Sequence, residues 1–138
     1  LYAPHGRNFV TTMLRLARER ETVAVVTDQR GQPTWTRELA RQVAALGEAA
    51  LRGSAPPGIY HGTATGQTTW YGLARAVFTV AGLDPTRVRG VTSEAYRRPA
   101  ARPAYSVLRH DRWRLAGVPL QAIWRDQLIA ALAGPAGP

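Results

Sequence analysis

Residues 28–34 read Asp28-Gln29-Arg30-Gly31-Gln32-Pro33-Thr34, and they hold more potential chemistry than any other short stretch of this chain. A carboxylate, an amide, a glycine, a proline and a hydroxyl stand between an apolar run at residues 23–26 and a helical pattern that opens at Trp35. That makes a tightly specified strand-to-helix turn, the place where α/β proteins meet their ligands. The same residues would also serve as a plain turn, with Thr34 as the helix N-cap.

Other candidate sites carry less. Gly62 and Gly66 flank a second turn before a helix, but they lack the Gly-x-Gly-x-x-Gly spacing of a dinucleotide loop and read as turn glycines. His5, His61 and His110 have no companion at metal-ligand spacing. Ser54, Ser93 and Ser106 have nothing like a nucleophile elbow around them. Residues 97–114 hold six arginines interleaved with Tyr105 and Trp113. Arginine with aromatics suits phosphate neutralisation and base stacking, or a clamp on one nucleotide's diphosphate. Pro99 and Pro103 argue against a basic recognition helix, and no nucleic-acid partner is expected.

The elements that would position these residues follow from periodicity. Asn8 caps a helix over residues 9–20, with Phe9, Met13, Leu16 and Ala17 on one face. Residues 22–26 form a short strand. Trp35, Leu39, Val43, Leu46 and Ala50 mark a second helix. Ile59, Tyr60 and His61 read as a strand. Thr68 caps a third helix over residues 70–81, stopped by Gly82. Residues 88–92 suit a strand, and residues 97–103 must be extended or turn-like because of their prolines. Residues 105–108 suit an edge pairing, Asp111 caps a single turn, and Trp124, Leu128 and Leu132 mark the last helix. Helices and strands alternate, so the class is α/β or α+β.

Composition narrows the function. The 138 residues make one domain by size, with net charge +9 carried entirely by arginine, since lysine is absent. No residue can therefore serve as a Schiff-base amine, and a Walker-type loop in its usual form is excluded. Cysteine is absent, which removes disulfides and thiolate chemistry and fits a reducing, cytoplasmic setting. No run approaches the roughly eighteen apolar residues of a membrane span, and no membrane partner is expected. The start, Leu1-Tyr2-Ala3-Pro4-His5, lacks a methionine and does not read as a signal peptide, so the chain is expected to begin mid-protein or after processing.

Four segments together resemble one family. Residues 2–10 resemble its Tyr-Gly-x-x-Gly-x-Asn-Phe segment, and residues 28–34 its Asp-Gln-x-Gly-x-Pro-Thr signature. Residues 58–61 with 68–71 resemble its Gly-x-Tyr-His and Thr-Thr-Trp pair, and residues 98–108 its late Arg-Pro-x-x-Ser-x-Leu element. On these motifs the chain is similar to the dTDP-4-dehydrorhamnose reductases, extended members of the short-chain dehydrogenase/reductase superfamily.

The resemblance implies an NADPH- or NADH-dependent enzyme that reduces the C4 ketone of a dTDP-4-keto-6-deoxy-sugar. It covers only the part after the family's Tyr-x-x-x-Lys pair. The implied fold is α/β (α+β in isolation): the C-terminal substrate-binding part of an extended Rossmann-type reductase, without the glycine-rich half. Residues 1–133 would form that part and residues 134–138 a loose tail. Elements near residues 36–61 would pack on an N-terminal Rossmann half, the implied partner, and a homo-oligomer is compatible with the resemblance. It further implies that Asn8, Phe9, Gln29, Thr34, Arg102 and Ser106 bind the sugar nucleotide, with Arg102 as the diphosphate clamp and Asp28 fixing the turn. Tyr2 and Ala3 would lie near the nicotinamide. No catalytic residue and no metal ligand is expected here, and the chain alone is expected to bind no cofactor and to be inactive. Ala3 stands where the family usually has glycine, which puts the backbone there in question.

Overall fold

The computed structural model describes residues 1–95, 100 and 102–134. Most of the extended stretch expected at residues 97–103, and the tail beyond Gly134, lie outside the described residues.

Helix α1 (Phe9–Glu19) starts where Asn8 accepts from the Thr11 amide at 3.1 Å while the Thr11 hydroxyl accepts from the Asn8 amide at 3.1 Å, a reciprocal capping box. Strand β1 (Val23–Val26) follows, then the two-residue β2 (Arg30–Gly31) and helix α2 (Thr36–Leu51). Strand β3 (Thr68–Thr69) pairs antiparallel with β2 and runs straight into helix α3 (Trp70–Val80). A 3-10 turn at Pro85–Arg87 leads to β4 (Val88–Val91), which lies parallel to β1 with Val23 opposite Val88 and Val26 opposite Val91. Helices α4 (Asp111–Leu115) and α5 (Trp124–Ala133) complete the chain.

The expected helices form, but several details differ. Trp35, not Thr34, is the N-cap of α2, and it offers no side-chain cap; its amide donates to Gln127 Oε1 at 2.9 Å. Thr69 rather than Thr68 caps α3, accepting from the Gly72 amide at 3.0 Å. The first residue of α4 is Asp111, so His110 holds the cap position. Ile59-Tyr60-His61 forms no strand; Tyr60 packs edge-on against Trp113, and the His61 carbonyl accepts from Trp113 Nε1 at 2.8 Å instead of joining a ladder. On α2 the buried positions are Gln42 and Ala49, while Val43 is exposed, so the apolar stripe read from residue type is rotated from the face that packs.

Two apolar clusters hold the molecule. The larger gathers α1, β1, α3, β4 and α5 around the fully buried Leu73, Val77, Phe78 and Leu128. Each such side chain contributes about 1.5–3 kcal/mol. The smaller cluster packs Ala49, Trp113, Ala116 and Val118. A one-way chain of buried amides links them: the Trp35 amide donates to Gln127 Oε1, Gln127 Nε2 to Gln121 Oε1 at 3.1 Å, Gln121 Nε2 to Gln42 Oε1 at 2.8 Å, and Gln42 Nε2 to the Pro119 carbonyl at 3.1 Å. No helix among the described residues is long and apolar enough to cross a membrane.

Arg87 closes the open end of α1. Its Nη2 donates to the Ala17 and Arg20 carbonyls at 2.7 Å, its Nε to the Glu21 carbonyl at 2.8 Å, and its guanidinium lies 5.7 Å from the Phe78 ring centroid. A cation there meets the carbonyls a helix terminus leaves unpaired. Arg87→Ala is expected to lower unfolding free energy by about 2 kcal/mol, read from the urea midpoint at unchanged slope.

Candidate functional site

Because Asn8 and Thr69 cap their helices, Phe9 and Trp70 become the first residues of α1 and α3 and meet there. Their ring centroids stand 4.7 Å apart with planes tilted by 52°. This aromatic pair lines a cavity of about 610 Å³, to which α1 adds Thr12, Met13 and Leu16 and β1 adds Ala24, Val25 and Val26. Gln29, Ser93, Glu94 and Arg102 bring polar groups to its wall.

The turn after β1 is fixed by contacts to the segment after β4. Both Asp28 carboxylate oxygens accept from the Ser93 amide, at 3.1 and 2.9 Å, and Oδ1 also accepts from Ser93 Oγ at 2.7 Å. These bonds, the hydroxyl's foremost, hold the Asp28 pKa below its usual value. Gln29 Nε2 donates to Ser93 Oγ at 2.7 Å, and the Gln29 carbonyl accepts from the Trp70 amide at 3.3 Å. Asp28 thus fixes the turn, as expected.

A second cavity of about 200 Å³ shares the Phe9–Trp70 wall. Tyr2, Gln32, Thr63 and Ser106 line it. Gln32 pairs both backbone groups of Leu108: its Oε1 accepts from the amide at 2.8 Å and its Nε2 donates to the carbonyl at 3.3 Å. The Thr63 hydroxyl donates to Gln32 Oε1 at 3.1 Å and lies 2.7 Å from His110 Nε2, which therefore carries the proton. The Tyr2 hydroxyl is buried with no hydrogen-bond partner among the described residues, and burial pushes its pKa up.

Of the residues expected to bind substrate, Phe9, Gln29 and Arg102 share the larger cavity, and Ser106 lies in the smaller one. Ser106 Oγ donates to the Arg30 carbonyl at 3.0 Å. Asn8 lies in neither: its amide donates to the Ala3 carbonyl at 2.9 Å and its oxygen caps α1. Thr34 also lies in neither. It is 1% exposed, its hydroxyl donating to the Gln32 carbonyl and accepting from the Ala64 amide, both at 3.0 Å. Its place is in the core because β2 and α2 are joined across it. Ala3 causes no strain, since no described non-glycine residue has a positive φ. The sequence does not mark Trp70, Ser93 or Glu94 as sugar-nucleotide ligands. Trp70 stands in the Thr-Thr-Trp motif, whereas nothing local marks Ser93, whose partners lie 64 and 65 positions away.

The turn between Gly62 and Gly66 is not a dinucleotide phosphate loop. A Cβ at Gly62 would meet Leu39 and one at Gly66 would meet Ile123, so protein side chains already fill the space that a phosphate loop keeps open. Tyr2 is 3% exposed, and the Ala3 carbonyl accepts from the Asn8 side-chain amide at 2.9 Å. Among the described residues no group of histidine and carboxylate side chains could hold a metal.

The model of the RmlD substrate binding domain matches residues 1–135. The chain belongs to this family. The RmlD-type chain is 54% identical to a dTDP-4-dehydrorhamnose reductase of Streptomyces griseus over 140 residues, 99% of this chain and 46% of the relative. It is 49% identical to a dTDP-4-keto-6-deoxy-D-glucose reductase of Streptomyces niveus, covering 95% of this chain and 44% of that one. Its fold matches a Bacillus anthracis dTDP-4-dehydrorhamnose reductase solved in complex with NADP, with TM-score 0.83 and 35% identity over 94% of this chain and 44% of that one. The chain thus spans about half the length of the relatives it matches. The resemblance read from the four motifs, and the α/β substrate-binding part it implied, are borne out.

His110 gives this RmlD-type domain a pH response. Burial, then nearby His61, lowers its pKa, so the folded protein favours the neutral ring. The unfolded chain binds more protons in the window just below the ordinary value of 6.5, and stability is therefore lost as pH falls through that window. The melting temperature is expected to drop between pH 7 and pH 5 by more than it does in His110→Gln, as followed by circular dichroism.

Proposed function

We propose that this chain is the substrate-binding part of an NADPH- or NADH-dependent reductase acting on the C4 ketone of a dTDP-4-keto-6-deoxy-sugar. One observation carries the reading. A single cavity of nucleotide size holds an aromatic pair, Phe9 and Trp70, an amide, Gln29, and a guanidinium, Arg102. Aromatic faces suit a base, an amide suits the polar edge of that base, and a planar, permanently charged fork suits a diphosphate. The two Streptomyces reductases named above share the dTDP carrier and differ in the sugar. The nucleotide and the 4-ketone are what the two have in common.

A nicotinamide held by the other half would supply the hydride. This chain's part is to hold the nucleotide. The adjoining smaller cavity, with Tyr2, Thr63 and Ser106 in its wall, supplies a polar space for the sugar beyond the diphosphate. The acid that protonates the carbonyl oxygen belongs to the family's Tyr-x-x-x-Lys pair, and a chain without lysine cannot contain that pair. An N-terminal Rossmann half therefore completes the proposed enzyme, in the cytoplasm. Packing of α2 against that half accounts for the exposure of Val43 and Leu51 on its surface.

Calorimetric titration with dTDP is expected to saturate at one site. Arg102→Ala is expected to raise the dTDP dissociation constant about tenfold and to leave thymidine binding unchanged, because thymidine has no phosphate for the guanidinium. No dTDP binding, or tighter, salt-steep binding of a short oligonucleotide, would overturn the reading. Turnover of a dTDP-4-keto-sugar by this chain alone would overturn the assignment of catalysis to the other half.

A further inference from the structure

Hydrogen-bond valence fixes which way round the Gln29 amide sits. The Asp28 carboxylate can only accept, and it already takes the Ser93 amide on both oxygens. The Ser93 hydroxyl, 2.7 Å from Oδ1, must therefore donate its single proton to Asp28. With that proton engaged, Ser93 Oγ can only accept from the group 2.7 Å away on its other side, which makes that group Gln29 Nε2. Gln29 and Ser93 both line the larger cavity. The amide end that does not engage Ser93 is the carbonyl oxygen Oε1, a fixed acceptor.

We infer that the Asp28–Ser93–Gln29 relay locks the polarity of the Gln29 amide and so makes the cavity select a pyrimidinedione base over a cytosine base. The inference rests on the nucleotide reading above and deepens it. Thymine and uracil offer an N–H at N3 between two carbonyl oxygens, so a fixed acceptor opposite N3 is satisfied. Cytosine presents a lone pair at N3, and two acceptors would face each other in a site partly closed to water. Rejection then comes from leaving both acceptors unpaired. Gln29 is the group that reads the base; Asp28 and Ser93 are positioning residues that act through it.

The test is calorimetric titration of the chain with dTDP and dCDP, which share sugar and diphosphate. Wild type is expected to bind dTDP about tenfold or more tightly than dCDP. Ser93→Ala frees the amide to turn over, and the ratio is expected to fall to within about threefold, mainly because dCDP binds better. Asp28→Asn adds a donor that lets the hydroxyl reverse, and the same loss of selectivity is expected. Ser93→Thr keeps the hydroxyl and should keep the ratio. Circular dichroism confirms that each variant folds, and a residue with only a structural role would weaken both ligands alike. Equal wild-type affinity for dTDP and dCDP, or parallel weakening of both ligands in Ser93→Ala, overturns the relay while leaving the nucleotide site standing. Failure of wild type to bind either ligand overturns the nucleotide reading itself, and the relay falls with it.

Discussion

The rest of this molecule depends on the need to cover α3. Its sequence is apolar nearly all round, with Leu73, Ala74, Ala76, Val77 and Phe78 all buried. A helix of that kind is stable in water only if neighbours shield every side. Here α1 and α5 pack against it, the parallel pair β1 and β4 lies alongside, and the 3-10 turn at Pro85–Arg87 sits at its end. The strands are four residues each and form a ladder of only two, too little to be stable alone. They persist because α3 buries their Val23, Val25 and Val88 side chains.

The site follows from that arrangement. Packing α1 beside α3 brings their first residues together, so an aromatic wall forms where two helices begin. Pairing β1 with β4 brings the turns after both strands to one edge, and Asp28 meets Ser93 there. Residues 65 positions apart thus become neighbours without any dedicated loop between them. Gln29 and Ser93 are carried on segments held by their own hydrogen bonds, the Gln29 carbonyl to the Trp70 amide and the Ser93 amide to Asp28, which lowers the ordering cost that a ligand meets.

Much of this was legible in the sequence where the cause is local. Asn8 ahead of Phe9, Met13, Leu16 and Ala17 at helical spacing announces a capped helix, and Gly82, with φ of +70°, ends α3 as a glycine in that conformation should. The motif at residues 28–34 marks a turn whose Gln29 lines the larger cavity. What could not be read depends on contacts between distant segments. A glutamine at position 42 looks like surface until Gln121 and Pro119 arrive to satisfy it. Residues 59–61 have strand composition, yet Trp113 takes the backbone group that a ladder would need. Thr34 has the right chemistry for a ligand wall, and only the Ala64 amide, thirty residues away, shows why it faces inward.

The buried glutamines give the interior a direction. Their chain starts at a backbone donor, Trp35, and finishes at the carbonyl of a proline, a residue with no N–H to offer. No amide along it can be inverted alone, for inversion would set oxygen against oxygen on one side and N–H against N–H on the other. Apolar surfaces slide past one another at little cost, but such a sequence of donors and acceptors fits in one alignment only. The two clusters of this domain are keyed together, like a lock's pins, rather than only adhering.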